Sequence, residues 1–154
     1  MNREHFHNKI KDTIEECSYD FFVVQPNKHI ACTCTEHSTK QADPECKKCL
    51  STGYKITIRK IHGACNDELK GGNSLGSESS KIIRNYFINS KYKVHDDDLI
   101  IDKDEVYYVF RTARMRALKG YETHQEVTAV KKTIDHNKIL NNFNTIIKRH
   151  ASKK

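Results

Sequence analysis

The amino-acid sequence predicts a mainly β protein of the α+β class, with a helix near each end and a cysteine-containing loop among the strands. Apolar and polar residues alternate over residues 54–65 and 105–118, which is the pattern of half-buried strands. Apolar residues recur at helical spacing over residues 3–17 and 136–149. After the first helix lies a turn-rich stretch, residues 30–53, which contains four cysteines and shows little periodicity.

The strand predictions follow from short alternating or β-branched runs that turn residues bound. The predicted strands are residues 20–24, 54–65, 99–102, 105–118 and 122–134. Pro26 is expected to end the first strand, because proline cannot donate to a strand ladder. Residues 81–88 fit either a strand or a short helix, and residues 71–80 have the composition of a flexible loop. The polar turn after residue 102 predicts a hairpin.

The longest predicted strand, 105–118, places different side chains on its two faces. One face is expected to carry Tyr107, Val109, Ala113, Met115 and Ala117. The other face is expected to carry Tyr108, Phe110, Thr112, Arg114 and Arg116. The distal half of this strand is therefore predicted to have an apolar side and a basic side.

Both predicted helices are amphipathic. In the first, Phe6, Ile10, Ile14 and Cys17 share one face, so Cys17 is expected to be a buried thiol. In the second, Asp135 is expected to cap the N-terminus. The apolar face of the second helix consists of Ile139, Leu140, Phe143, Ile146 and Ile147. We expect this face to dock on the strands or on a neighbouring molecule.

Length, composition and charge limit the classes of protein to which the chain can belong. The 154 residues, of which 36% are hydrophobic and 31% charged, predict one polar domain, residues 1–154, that ends in a helix and basic tail at residues 136–154. The net charge is +7, and residues 131–154 carry seven basic side chains and one acidic. This asymmetry suits contact with a polyanion or an acidic surface, and the alternative is a solvated lysine-rich surface. Neither a membrane span nor a signal-peptide core is present in the sequence, so neither a membrane partner nor secretion is expected.

The six cysteines are expected to be thiols or metal ligands rather than a disulfide framework, since no secretion signal is seen. Four of them form Cys32-Thr-Cys34, then eleven residues, then Cys46-Lys-Lys-Cys49. Two close pairs match the tetrahedral four-ligand set of structural zinc, and converging thiolates repel one another until a cation neutralises them. The sequence therefore predicts a structural Zn2+ ion bound by Cys32, Cys34, Cys46 and Cys49.

Other interpretations of these cysteines stay open from the sequence alone. Two disulfides, a redox-active CxxC pair or a chance cluster also fit the count, although a redox CxxC usually opens a helix after a strand. The CxC pair is tighter than the usual CxxC. His37 is therefore the candidate to replace one of its cysteines as a ligand.

No combination of residues in the sequence indicates catalysis. Four thiolates close the coordination shell, whereas a catalytic zinc keeps a position for water or substrate. The nine histidines form no HExxH motif, and residues 71–76 lack the lysine of a phosphate-binding loop. The acidic residues between 96 and 105 lack calcium-loop spacing and are expected to form a solvated turn. We therefore expect the protein not to be an enzyme.

The cysteine loop resembles that of one group of tailed-bacteriophage neck proteins, the head–tail connector and head-closure proteins. Their loop reads CxC, a turn with Asp-Pro, then CxxC and residues like Gly-Thr-Gly-Tyr. The matching residues are Cys32-Thr-Cys34, Asp43-Pro44-Glu45-Cys46, Lys47-Lys48-Cys49 and Ser51-Thr52-Gly53-Tyr54. The hairpin of residues 98–109 is also similar. Ser51 departs from the family's glycine, and the Gly/Ser loop and long C-terminal helix are less typical of the group.

The resemblance implies a fold and a role. The strands would form a small β-barrel after the N-terminal helix, strand and zinc-stapled loop. The protein would be made in the host cytoplasm and would form a homo-oligomeric ring in the virion neck, between the portal or adaptor protein and the tail proteins. DNA would pass through this ring. The side chains that would face the lumen or a partner are Arg111, Arg114, Arg116 and Lys119, and the alternative is that they form salt bridges or face solvent.

Two other functions fit parts of the sequence. A zinc-ribbon protein that binds nucleic acid or regulates would use the basic tail on phosphates, but no recognition helix follows the second cysteine pair. A chaperone-like zinc module also has CxxC before a glycine turn, although this chain has a single four-cysteine unit rather than repeated ones.

Overall fold

A computed structural model describes residues 3–36, 39–68, 82–116 and 122–153 of the chain. Its elements are α1 (Arg3–Glu16), β1 (Tyr19–Ala31), β2 (Tyr54–Glu68), β3 (Ile83–Asn89), β4 (Leu99–Asp102), β5 (Glu105–Arg116), β6 (Glu122–Lys131) and α2 (His136–Ala151). The prediction of a mainly β protein with a helix near each end is confirmed. Within the described residues, no helix is long and apolar enough to cross a membrane.

The six strands form one closed antiparallel barrel in the order β1-β2-β3-β6-β5-β4. Four of the strand pairs are consecutive in the chain, and the pairs β3–β6 and β1–β4 close the ring. The segment 81–88, undecided from the sequence, lies mostly in β3, because both β2 and β6 pair with it. Closure gives each strand two neighbours over its central part and so removes exposed ladder edges there.

Aromatic and branched side chains fill the barrel interior. Phe21 and Tyr86 have ring centroids 4.9 Å apart, and those of Tyr86 and Tyr107 lie 6.3 Å apart. The rest of this buried cluster is Val23, Ile61, Ile88, Val94, Ile100, Val109, Val127 and Ala129. Burying one such large side chain contributes about 1.5–3 kcal/mol relative to leaving it exposed.

A second apolar cluster lies between the outer surface of the barrel and α2. Ile139 and Phe143 of α2 are 0% and 4% exposed, and the rings of Phe143 and Phe22 are 5.1 Å apart. The buried members of the cluster are Val24, Leu50, Leu99, Ile101, Val106, Ile139 and Phe143. Because this cluster covers the outer side of β4, all four residues of β4 are buried. The C-terminal helix therefore docks on the barrel of its own chain.

The first strand is longer than predicted. Pro26 does not end β1, which continues to Ala31 and pairs Pro26 with Ile56 of β2. The pairing of β1 with β4 covers only Phe22 to Val24, so Pro26 lies beyond the last pair on that side. Proline is tolerated at such an edge position because no neighbouring strand needs its N–H.

A β-bulge in β5 reverses the predicted faces of the strand beyond Val109. Val109 pairs with Ala129 and Arg111 with Thr128, so Phe110 is an extra residue. Thr112 then pairs with the buried Val127. Cross-strand partners share a face, so Thr112 and Arg114 lie on the inner side with Val109, and Ala113 and Met115 lie on the outer side. The predicted assignment of these residues to faces is therefore wrong.

Two predictions at helix ends are also wrong. Asp135 has a φ of 58° and makes no side-chain capping bond. In this left-handed conformation the carboxylate is not presented to the first free N–H groups, as it is from the β region that N-cap residues usually adopt. Cys17 is exposed, because it lies with Ile10 and Ile14 along an open groove between α1 and the barrel rather than in a closed core. The side chains of Phe6 and Ala117, each of which was predicted to lie on an apolar face, are outside the described part of the structure.

The acidic segment 96–105 is not simply a solvated turn. Asp98 and Asp102 are 3% and 1% exposed. The carboxylate of Asp98 accepts hydrogen bonds from the backbone N–H of His95 at 2.9 Å and from Nε2 of Gln25 at 3.0 Å. Burial raises the pKa of Asp98, and these two donors oppose that rise. The expectation of a solvated turn is therefore wrong for these two carboxylates, because each has donors from elsewhere in the barrel.

Gly63 lies where β2 approaches both β3 and the barrel interior. A Cβ atom at this position would lie 2.9 Å from the backbone oxygen of Phe87 and 3.2 Å from the ring of Phe21. The backbone oxygen belongs to the β2–β3 ladder and cannot easily move. We expect Gly63→Ala to lower the free energy of unfolding by about 1–3 kcal/mol in urea denaturation. Thr57→Ala, on the exposed part of β2, is the control and should stay within about 0.5 kcal/mol; equal effects would contradict the prediction.

Candidate metal centre

The four clustered cysteines lie in the connection between β1 and β2. Ala31 and Tyr54 are the last paired residues of the two strands. One residue further, the N–H of Cys32 donates to the carbonyl of Gly53 at 2.8 Å. The strand ladder thus brings the beginning and the end of the cysteine loop together.

The four sulfur atoms of Cys32, Cys34, Cys46 and Cys49 lie within 4.8 Å of one another. The sulfurs of Cys32 and Cys46 are 3.8 Å apart, and those of Cys34 and Cys49 are 3.5 Å apart. Four sulfurs at about 2.3 Å from a tetrahedral ion would lie about 3.8 Å from one another. A disulfide requires about 2.05 Å, so these cysteines are thiols. They are close enough together to bind one metal ion.

Tight turns position the second cysteine pair. The N–H of Cys46 donates to the carbonyl of Asp43 at 3.1 Å, and the N–H of Thr52 donates to the carbonyl of Cys49 at 3.0 Å. The N–H of Lys48 points at the sulfur of Cys46, at 3.4 Å. A donor aimed at sulfur favours the thiolate form, which is the form that binds metal.

Left-handed backbone follows the second pair. Leu50, Ser51 and Gly53 have φ angles of 50°, 65° and 78°. This conformation costs a non-glycine residue about 1–2 kcal/mol, so the surroundings must hold Leu50 and Ser51 in place. At Gly53 a side chain would also crowd the Cβ of Ala42, at 3.3 Å.

The four candidate ligands differ in how deeply their side chains are buried. Cys49 and Cys46 are 0% and 9% exposed, whereas Cys32 and Cys34 are half-buried. Burial raises the pKa of Cys49 to about 12, and it raises the pKa of Cys34 above its ordinary value. Burial also acts to raise the pKa of Cys46, but the N–H groups of Lys48 and Cys49 and the neighbouring thiols lower it to about 7.

These pKa values predict a steep pH dependence of metal binding. Cys34 and Cys49 hold protons at neutral pH, so a bound ion must displace at least two protons. We therefore expect the affinity to fall by about a hundredfold or more per pH unit as the pH is lowered from about 7 to 6. Competition with a chromophoric chelator of known proton affinity measures this slope. A change of less than about tenfold would contradict the displacement of two protons.

The other sequence-predicted site residues are His37 and the basic residues of β5 and of the segment that follows it. His37, the alternative ligand, and Lys119 lie outside the described residues. Arg114 pairs with Glu122 at 3.1 Å, and Arg111 and Arg116 are exposed. Because they are three residues apart in an unbroken stretch of β5, Arg111 and Arg114 lie on opposite faces of the strand. The arginines are therefore not gathered into one cluster.

The sequence did not reveal the contacts of two residues beside the cysteines, Leu50 and Glu45. Leu50, directly after Cys49, is 1% exposed and belongs to the apolar cluster under α2. Glu45, directly before Cys46, pairs with Lys138 of α2 at 2.5 Å. A signal for Leu50 was present, because it is the only large aliphatic residue in residues 32–53. Nothing local indicated the ion pair, since its partner is far away in the chain.

No protein-family model matches the chain, and no curated protein matches it.

Proposed function

We propose that Cys32, Cys34, Cys46 and Cys49 bind one structural zinc ion and that the protein is a non-catalytic structural component of a tailed-phage neck. It would form a homo-oligomeric ring that joins or closes the portal end of the head to the tail and lets DNA pass. The loop, made rigid by zinc, would be one of its contact surfaces.

The sulfur cluster is the observation that carries the zinc proposal. Its four sulfurs lie within 4.8 Å of one another, which suits tetrahedral coordination. Thiolates select zinc and other soft ions over calcium or magnesium, which take oxygen ligands. Four protein ligands leave no position for water or substrate, so the ion would stabilise the loop rather than catalyse a reaction.

The neck assignment rests on the resemblance of the cysteine loop, and the position of that loop supports it. The order of elements is a helix, a strand, the cysteine loop and then the remaining strands of a closed barrel. This is the order that the resemblance implies. The left-handed φ of Ser51 also suits a position where the family has glycine.

Metal analysis of the purified protein tests the zinc proposal. We expect about one zinc ion per chain, which chelators remove with a loss of stability. Less than about half an equivalent, in protein purified without chelator, would overturn the metal centre.

Mass in solution tests the ring separately. Light scattering after size-exclusion chromatography, with electron microscopy of the same fractions, should show closed rings. A chain that stays monomeric at every concentration, and whose DNA affinity falls steeply with salt, would overturn the ring in favour of a zinc-ribbon nucleic-acid-binding protein.

A further inference from the structure

The cysteine loop and α2 share one apolar cluster. Leu50 belongs to the same buried cluster as Ile139 and Phe143 of α2 and Val24 and Leu99 of the barrel. The exposed fraction of Leu50 is 1%, so its side chain is fully inserted. The loop therefore forms part of the surface on which the C-terminal helix docks.

A polar contact links the same two segments. The carboxylate of Glu45 and the ammonium of Lys138 are 2.5 Å apart, and their side chains are 66% and 47% exposed. An exposed ion pair contributes little energy, but this pair joins the residue before Cys46 to the first turn of α2. Leu50 and Glu45 thus flank the second cysteine pair: Leu50 shares a buried cluster with the helix, and Glu45 pairs with it.

The position of Leu50 depends on what anchors Cys49. Leu50 and Ser51 have left-handed φ angles of 50° and 65°, which non-glycine residues avoid. Residues 32–36 and 39–53 contain no helix or strand that would hold this conformation. A metal ion that ties Cys49 to the other three sulfurs would hold the backbone at the point where Leu50 enters the cluster.

We propose that metal binding at the four cysteines controls the docking of α2 on the barrel. The proposal rests on the metal site proposed above. With metal bound, Leu50 is held in the cluster and α2 is docked. Without metal, the backbone of Leu50 relaxes, the helix loses part of its binding surface, and the outward apolar side chains of β1, β2 and β4 become accessible. An amphipathic helix of 16 residues has little stability of its own, so undocking would also let it unfold.

Hydrogen exchange of the full-length protein, before and after zinc removal by a chelator, tests the proposal. We expect peptides that cover α2 to exchange at least about tenfold faster without zinc, while peptides from β3 and β6 stay protected. Unchanged exchange in α2, or an equal loss of protection in all strands, would overturn the link. Metal analysis of the same samples separates the two proposals: absence of zinc overturns the site itself, whereas bound zinc without an effect on α2 overturns only the link.

A variant tests the link without touching a ligand. Leu50→Ala should still bind about one zinc ion, and α2 should exchange several-fold faster even in the zinc-loaded protein. Gln41→Ala is the matched control, because it truncates an exposed side chain of the same loop. It should leave both zinc content and α2 exchange unchanged. If the two variants exchange alike in α2, Leu50 does not couple the loop to the helix and the proposal fails.

Discussion

Replacing Cys49 by serine is expected to abolish tight metal binding and to lower the melting temperature by about 10 °C. The Cys49 side chain is 0% exposed, and its sulfur lies 3.5 Å from that of Cys34. A serine hydroxyl is a poor ligand for a soft ion, so the variant would offer three sulfurs. An ion present at about a thousand times its dissociation constant stabilises the folded state by about 4 kcal/mol. In a domain of this size each kcal/mol changes the melting temperature by about 2–4 °C.

The matched control is Cys17→Ser, which makes the same atomic change at an exposed thiol outside the cluster. This control should keep about one zinc ion per chain and melt within about 2 °C of the unchanged protein. Thermal unfolding followed by circular dichroism, with and without chelator, measures both variants. Chelator should lower the melting temperature of the control but not that of Cys49→Ser. If both variants bind zinc and melt alike, Cys49 is not a ligand.

The cysteine cluster was predictable because its information is local. Cys32, Cys34, Cys46 and Cys49 fall within 18 residues, and a turn-rich segment can bring such pairs together without help from distant residues. The hairpin of β4 and β5 was predictable for a similar reason. Its strands are joined at Asp102 and Glu105 by a two-residue turn, and loop length largely determines how such strands pair.

The errors lie where the outcome depends on a neighbouring strand. Alternation correctly put Tyr107 and Val109 on one face, but it cannot reveal that Phe110 is an extra residue opposite β6. Pro26 was expected to end β1, but a strand can continue through a proline where no neighbouring strand needs its N–H. Whether that holds at Pro26 depends on where the pairing of β1 with β4 stops, which is a property of the closed barrel. The inserted Leu50 was missed for the same reason, since its partners come from α2 and several strands.

Asp102 is the residue whose role was furthest from prediction. Its Oδ2 atom accepts hydrogen bonds from the hydroxyl of Tyr19 at 2.5 Å, from the hydroxyl of Tyr86 at 3.0 Å, and from Nη1 of Arg84 at 3.1 Å. Arg84 also approaches Glu105 at 3.5 Å. Burial is the main cause that raises the pKa of Tyr19 and Tyr86, and the Asp102 carboxylate raises it further. Both tyrosines therefore keep the protons that they donate. One side chain thus ties β1 and β3 to the end of β4.

Asp102→Ala is therefore expected to lower the free energy of unfolding by about 3–5 kcal/mol, because it removes a buried charge partner. The Asp102 side chain is 1% exposed, so water cannot easily replace the lost acceptor for Tyr19 and Tyr86. Asp102→Asn keeps the volume and one acceptor oxygen but loses the charge that faces Arg84. It should cost less, about 1–3 kcal/mol. Urea denaturation of both variants measures these differences.

Asp104→Ala supplies the control, since Asp104 is exposed and lies two residues away in the same turn. Its unfolding free energy should stay within about 0.5 kcal/mol of that of the unchanged protein. The expected order of stability is Asp104→Ala, then Asp102→Asn, then Asp102→Ala. If Asp102→Ala were as stable as Asp104→Ala, the carboxylate would not join the strands. The aromatic side chains of Tyr19 and Tyr86 would then hold β1 and β3 to the barrel by packing alone.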